Sequence, residues 1–108
     1  PEARVAVVIP ALNEEAAVGG VVNGVKAALG QSLDQLIVVD NGSTDGTAGA
    51  ARAAGATVIA EPERGYGAAC LAGLALVRPE TDIILFVDSD GSDKLEDANA
   101  IVAPLIAG

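Results

Sequence analysis

Four short apolar runs, each followed by turn residues and then by residues at helical spacing, constrain this chain more than any other feature. The runs are Arg4 to Ile9, Asp34 to Asp40 around Leu36-Ile37-Val38-Val39, Thr57 to Ala60, and Ile83 to Val87. They are short for helices and rich in β-branched residues, so they read as strands. After the first, Val18, Val21, Val22, Val25 and Leu29 recur at helical spacing and stop near Gly30. Asn13 is the expected N-cap of that helix, with Glu14 and Glu15 in its first turn, where the dipole favours acids. An Ala-rich helix follows the second run to about Ala54, with Gly55 as its C′ residue. The loop Glu61 to Gly67 leads into a helix from about Ala68 to Val77, stopped by Pro79. Residues Asp93 to Ala107 read as a fourth helix, with Ala98, Ile101, Val102, Leu105 and Ile106 as its apolar stripe. Strand and helix in strict alternation, four times over, predict an α/β fold with a mainly parallel sheet, right-handed crossovers and helices on both faces.

The chemistry gathers where strands end. Three connections, Pro10 to Glu14, Asp40 to Asp45 and Asp88 to Asp93, leave strands at their carboxyl ends and should line one edge of the sheet. That edge is where open parallel sheets bind ligands. Asp88 and Asp90 are two carboxylates one residue apart, and like charges so close are costly unless a cation lies between them. Their oxygens suit a hard divalent ion such as Mg²⁺ or Mn²⁺; the other reading is a solvated turn that caps the next helix. Asp40 has two readings as well: a partner for a base or ribose, or the start of an Asx turn with Gly42. Ser43 or Thr44 reads as a helix cap rather than a ligand contact. Arg64-Gly65-Tyr66-Gly67 combines a cation with two glycines that let the backbone approach a ligand, just before a helix N-terminus. Tyr66 either closes over a ligand or packs on that helix, and Cys70 reads as a small packing residue.

Composition narrows the function. The 108 residues are enough for one domain, and with aromatics at 2% its core must be built of Val, Ile, Leu and Ala. Six Lys and Arg against fifteen Asp and Glu give a net charge of −9, which argues against nucleic acid as a partner. A phosphate ligand at so acidic an edge needs a metal ion or backbone N–H groups. There is no His, hence no His zinc site, triad or imidazole base in these residues. One Cys permits no internal disulfide, which fits a reducing compartment. No apolar run approaches about 18 residues, so no transmembrane segment is expected in this part. The chain begins at Pro1 and has no Met, which suggests part of a longer translation product.

Four motifs, VVIPALNEE, VVDNGSTDGT, ERGYGAA and VDSDGSD, stand in an order and spacing that resemble the GT-A fold of the family 2 glycosyltransferases. The likeness is to dolichyl- and polyprenyl-phosphate sugar transferases and their bacterial relatives, and it spans residues 5 to 97. It implies a Rossmann-like, three-layer α/β/α domain with four β-α units here. Residues 1–108 would be its N-terminal, nucleotide-sugar-binding part, and the general base and acceptor-binding portion would lie outside them, leaving this part inactive alone. Pro10, Ala11, Leu12 and Glu14 would shape the pocket for base and ribose, and Asp40 would bind the base. Arg64, Gly65 and Gly67 would sit beside the nucleotide. Asp88 and Asp90 match the D-x-D motif: Asp90 is the direct metal ligand, Asp88 lies nearer ribose and metal, and Ser89 joins the substrate-binding set. The implied donor is a nucleotide-diphosphate sugar of UDP-glucose or GDP-mannose type, with Mg²⁺ or Mn²⁺ as cofactor. The implied acceptor is polyprenyl phosphate, reached with inversion from a cytoplasmic position at the inner face of the membrane. A retaining relative that transfers glucose or mannose to phosphoglycerate shares the first two motifs and the acidic pair, and a non-catalytic nucleotide-binding module is a further alternative. A nucleotidyltransferase would want a basic, Gly-rich loop where Pro10 to Glu15 stand, and a dehydrogenase would want first-turn glycines.

Overall fold

The computed structural model describes residues 3–91 and 99–102. In chain order it contains β1 (Val5–Ala11), α1 (Glu15–Leu29), β2 (Leu33–Asp40), α2 (Thr47–Ala53), β3 (Thr57–Ala60), α3 (Tyr66–Leu74), β4 (Ile83–Phe86) and β5 (Asn99–Val102). The strand order is β3-β2-β1-β4-β5, with β1 to β4 parallel as expected. β1 is central, which explains its unbroken apolar run: both its faces are buried. Val5, Val7 and Ile9 point to one face, where Val18, Val22 and Val25 of α1 and Ala51 of α2 cover them together with Val38. Ala6 and Val8 point to the other, with Ile37, Val39, Ile84 and Phe86, under Ala69 of α3. Among the described residues two helices therefore lie on one face and one on the other, giving the expected three layers.

Among the described residues α3 is the one helix on its face, and it packs there at short range. At Gly73 a Cβ would collide with Val8 Cγ1 and stand 3.3 Å from Val39 Cγ2. Only glycine allows that approach. The helix starts at Tyr66 rather than Ala68, directly after Gly65, whose φ of 118° suits a residue without a Cβ.

The expected fourth helix is corrected. Asn99 to Val102 form β5, which runs antiparallel to β4 and pairs Ile84 with Ile101 and Leu85 with Ala100. Four apolar residues can satisfy either period. Here the open edge of β4, with a row of unpaired N–H and C=O groups, decides in favour of a β-branched strand partner. The rest of that call, Asp93 to Ala98 and Ala103 to Ala107, lies outside the described residues. Three β-α units, not four, are therefore present among the described residues.

Candidate functional site

β1, β2 and β3 follow one another to one side, and β4 lies on the other side of β1. The strand order thus reverses between β1 and β4. At such a point the connecting loops diverge to opposite faces and leave a crevice at the carboxyl ends. A cavity of about 490 Å³ occupies it. Pro10, Ala11, Leu12 and Glu14 reach it from the end of β1, Asp88, Ser89 and Asp90 from the end of β4, and Arg64 and Gly65 from the loop before α3. Nine of the residues singled out from the sequence are therefore brought together. Another cavity of similar volume lies along α1, but it is lined by Ala, Val and Gly alone, with no polar side chain to orient a ligand.

Asp40 and Gly67 do not line the main cavity. Asp40 makes a local turn bond, but to Ser43 three residues on rather than to Gly42: its Oδ1 accepts the Ser43 N–H at 3.0 Å. Three lining residues were not in the predicted site: Asn41, Tyr66 and Ala69. Tyr66 lines the cavity and is 55% exposed, and its hydroxyl bonds to Cys70 one turn along α3. Burial pushes the Cys70 thiol up, and the Tyr66 hydroxyl pulls it partly back. Asn41 was missed because Asn beside Gly reads as a turn former. Its burial to 6% exposure is a product of the fold and left no local trace in the sequence.

The first two loops are fastened to each other. The expected cap, Asn13, instead takes a left-handed φ of 53° and its Oδ1 accepts the Thr44 N–H at 2.8 Å. The N–H groups that lead into α1 find their partners across the gap. Ser43 Oγ accepts from Asn13 N–H (2.9 Å), Thr47 Oγ1 from Glu14 N–H (2.9 Å) and Asp45 Oδ2 from Glu15 N–H (3.3 Å). In return Glu15 Oε1 accepts the Gly46 N–H at 3.0 Å. A Cβ on Gly46 would meet that carboxylate at 2.8 Å, so the glycine leaves room for it. Ser43 and Thr44 therefore do not cap α2, whose N-cap is Gly46; Asp45, just before it, accepts the Thr47 N–H at 3.0 Å. The Thr47 hydroxyl, fully buried, also donates to Asp45 Oδ1. That bond, with help from the Thr47 and Glu15 N–H groups and partly opposed by desolvation, holds the Asp45 carboxyl below its ordinary value.

The cavity has two chemical ends. Asp88 and Asp90 supply carboxylate at the β4 end. Arg64 supplies the cation near the β2 end, where its Nε lies 3.5 Å from the position a Cβ would take on Gly42. Two strand spacings, roughly 10 Å, separate the ends of β2 and β4. The acidic end offers hard oxygen donors only, the set preferred by Mg²⁺ and Mn²⁺. Among the described residues no group of three or more His, Cys, Asp or Glu side chains converges on one point. An ion there would take further ligands from a bound phosphate or water, as Mg²⁺ commonly does.

Comparison with known proteins agrees with this geometry. The family model described as glycosyl transferase family 2 matches residues 6–108. The glucosyl-3-phosphoglycerate synthase of Mycolicibacterium smegmatis is 44% identical over 112 residues, covering 96% of this chain and 35% of that protein. An uncharacterized glycosyltransferase of Mycobacterium tuberculosis is 40% identical over 104 residues, covering 96% of this chain and 44% of that one. The crystal structure of M. tuberculosis glucosyl-3-phosphoglycerate synthase with Mn²⁺, UDP-glucose and phosphoglyceric acid superposes with a TM-score of 0.72 at 37% identity. That match covers 81% of this chain and 33% of the other. The same enzyme has been solved with Mg²⁺ and UDP. The chain thus spans between a third and a half of the length of these proteins. Among the described residues no helix is long and apolar enough to cross a membrane.

Proposed function

The chain belongs to glycosyl transferase family 2, and from that premise we propose that its carboxyl-edge cavity binds a nucleotide-diphosphate sugar, UDP-glucose first among them. The observation that carries this reading is the convergence of Asp88, Asp90 and Arg64 on one cavity at the strand reversal. Residues 1–108 then form the donor-binding part of a GT-A glycosyltransferase domain. Asp90 and Asp88 hold Mg²⁺ or Mn²⁺, which when bound offsets the charge of the diphosphate and acts as a Lewis acid toward the departing nucleotide.

The chain's own residues orient the donor. Leu12, 42% exposed, and Tyr66 give the cavity apolar surface for a base or a sugar ring. Arg64 brings a fixed positive charge to the nucleotide. Ser89, between the two aspartates, is buried at the cavity. Asp40 remains the proposed partner of the base, through the carboxylate oxygen that its turn does not use.

For the acceptor, the names of the relatives favour phosphoglycerate over the polyprenyl phosphate suggested by the sequence resemblance. Transfer with retention, the course paired with phosphoglycerate in the sequence reading, is proposed with it; inversion belongs to the lipid-phosphate alternative. Proton NMR of the anomeric centre of the product distinguishes them.

Calorimetric titration with UDP and GDP, with and without Mn²⁺, tests the donor site. UDP should bind in the presence of Mn²⁺ and lose at least about tenfold, roughly 1.4 kcal/mol, when the metal is removed or Asp90→Ala is introduced. Equal, metal-independent binding by wild type and variant would remove the metal from the proposal. Transfer assays with UDP-glucose and either phosphoglycerate or polyprenyl phosphate, run on a longer chain that carries the acceptor-binding portion, then identify the acceptor. Binding without transfer to any acceptor by that longer chain would leave a nucleotide-binding module.

A further inference from the structure

Asn41 follows β2 directly, and its side chain is buried. Its Nδ2 donates both protons to the neighbouring loop, to Glu61 O at 2.9 Å and to Glu63 O at 2.7 Å. Its Oδ1 accepts the Gly65 N–H at 3.1 Å. The amide can sit only one way round, because reversal would turn its oxygen toward two carbonyls and its NH₂ toward an N–H. On the other side, the Asn41 backbone N–H donates to Ala11 O at 2.9 Å, which ties the residue to the end of β1. Residues 61–65 contain no helix or strand and link β3 to α3. One side chain therefore supplies the partners for three of that loop's backbone polar groups.

The position of those groups is what matters. Glu63 O and Gly65 N–H lie immediately before and after Arg64, so the Asn41 amide brackets the one cationic residue that lines the cavity among the described residues. The Arg64 side chain then lies along Gly42, next in sequence to Asn41, with its Nε 3.5 Å from where a Cβ would stand. Gly42 has a φ of 91°, which keeps side chains away from that surface. Asp at position 41 could still accept from Gly65 but could not donate to Glu61 and Glu63. Ala could do neither.

We propose that Asn41 is a positioning residue of the donor site, holding the Glu61–Gly65 loop so that Arg64 is presented to the nucleotide diphosphate. The inference rests on the donor reading given above. Preorganisation of this kind removes the ordering cost that a free loop and a long side chain would carry at each binding event.

The test is a double-mutant cycle on UDP affinity with Mn²⁺, using Asn41→Ala, Arg64→Ala and the double variant. Each single change is expected to weaken UDP by about tenfold, and the double variant should be no weaker than Arg64→Ala alone, because Asn41 acts through Arg64. A double variant weakened by the product of the two losses, or an Asn41→Ala variant that binds like wild type, overturns the proposal. Hydrogen exchange at the Gly65 amide gives a reading free of ligand. It should speed up in Asn41→Ala while the central amides of β1 stay protected; unchanged Gly65 exchange refutes the positioning role by itself. Wild type that fails to bind UDP at all would sink the donor reading instead. If Asn41→Ala does not fold, the same-sized Asn41→Asp takes its place, and it too should release the loop through loss of the two donated bonds.

Discussion

Asp40 and Asn41 show how far single residues can be read from a sequence. Both are polar residues at the end of a buried strand, and Asp40 drew the attention because carboxylates there often meet ligands. In the structure Asp40 makes a local turn bond, while Asn41 reaches 24 residues along the chain to Gly65. A partner so distant leaves no mark on local sequence pattern. The acidic pair was more legible, since two carboxylates closing an apolar strand are costly without a purpose. Asp45 went unremarked, yet it makes a specific expectation about pH. Its carboxyl lies below the ordinary value of 3.8 when folded, first through the Thr47 hydroxyl bond. The unfolded chain therefore takes up the proton more readily, and the stabilisation is present in full above 3.8 and lost as the pH falls through the lower folded value. Asp45→Asn should accordingly lower the melting temperature near neutral pH, and the gap to wild type should close as the pH is brought down toward 3. Thermal melts of both proteins across that range would show it.

At the level of elements, the strand runs and the first three helices were readable because period and length agreed. Errors fell at the ends of elements, where neighbours decide. Asn13 has the right chemistry for a cap, but its side chain is committed to Thr44, and Asp45 of the other loop takes the Glu15 N–H that the cap would serve. Ile101 and Val102 fit a helical stripe, but an open strand edge gave them a partner in β4. The closest contact between elements, Gly73 of α3 against Val8 and Val39, was foreshadowed only by a general excess of glycine and alanine. Gly73→Ala should destabilise the protein by about 1–3 kcal/mol, because the added methyl has no space beside a β-branched neighbour on the central strand. Urea unfolding would measure it, and an unchanged midpoint would mean that α3 can lift from the sheet at little cost. Such a shift would also move Tyr66 at the other end of the helix.

For the molecule as a whole, alternation predicted the parallel sheet, but it could not say which strand lies at the centre or where the order turns back. That reversal between β1 and β4 makes four separate motifs into one cavity. The net charge of −9 gave the other global constraint, that a diphosphate needs a cation in order to approach. The fastening of the loop after β1 to the loop after β2 has a consequence for heredity and for engineering. Six hydrogen bonds cross between residues 13–15 and 43–47, and all but one join a side chain of one loop to the backbone of the other. The two segments therefore behave as a lock and its key cut together. A chimera that imports only one of them from a relative should lose at least about 1 kcal/mol of stability, as mismatched partners leave N–H groups unbonded. Importing both should restore the melting temperature. In this scaffold the smallest transplantable piece of the donor pocket is a matched pair of loops, separated by an entire helix and strand.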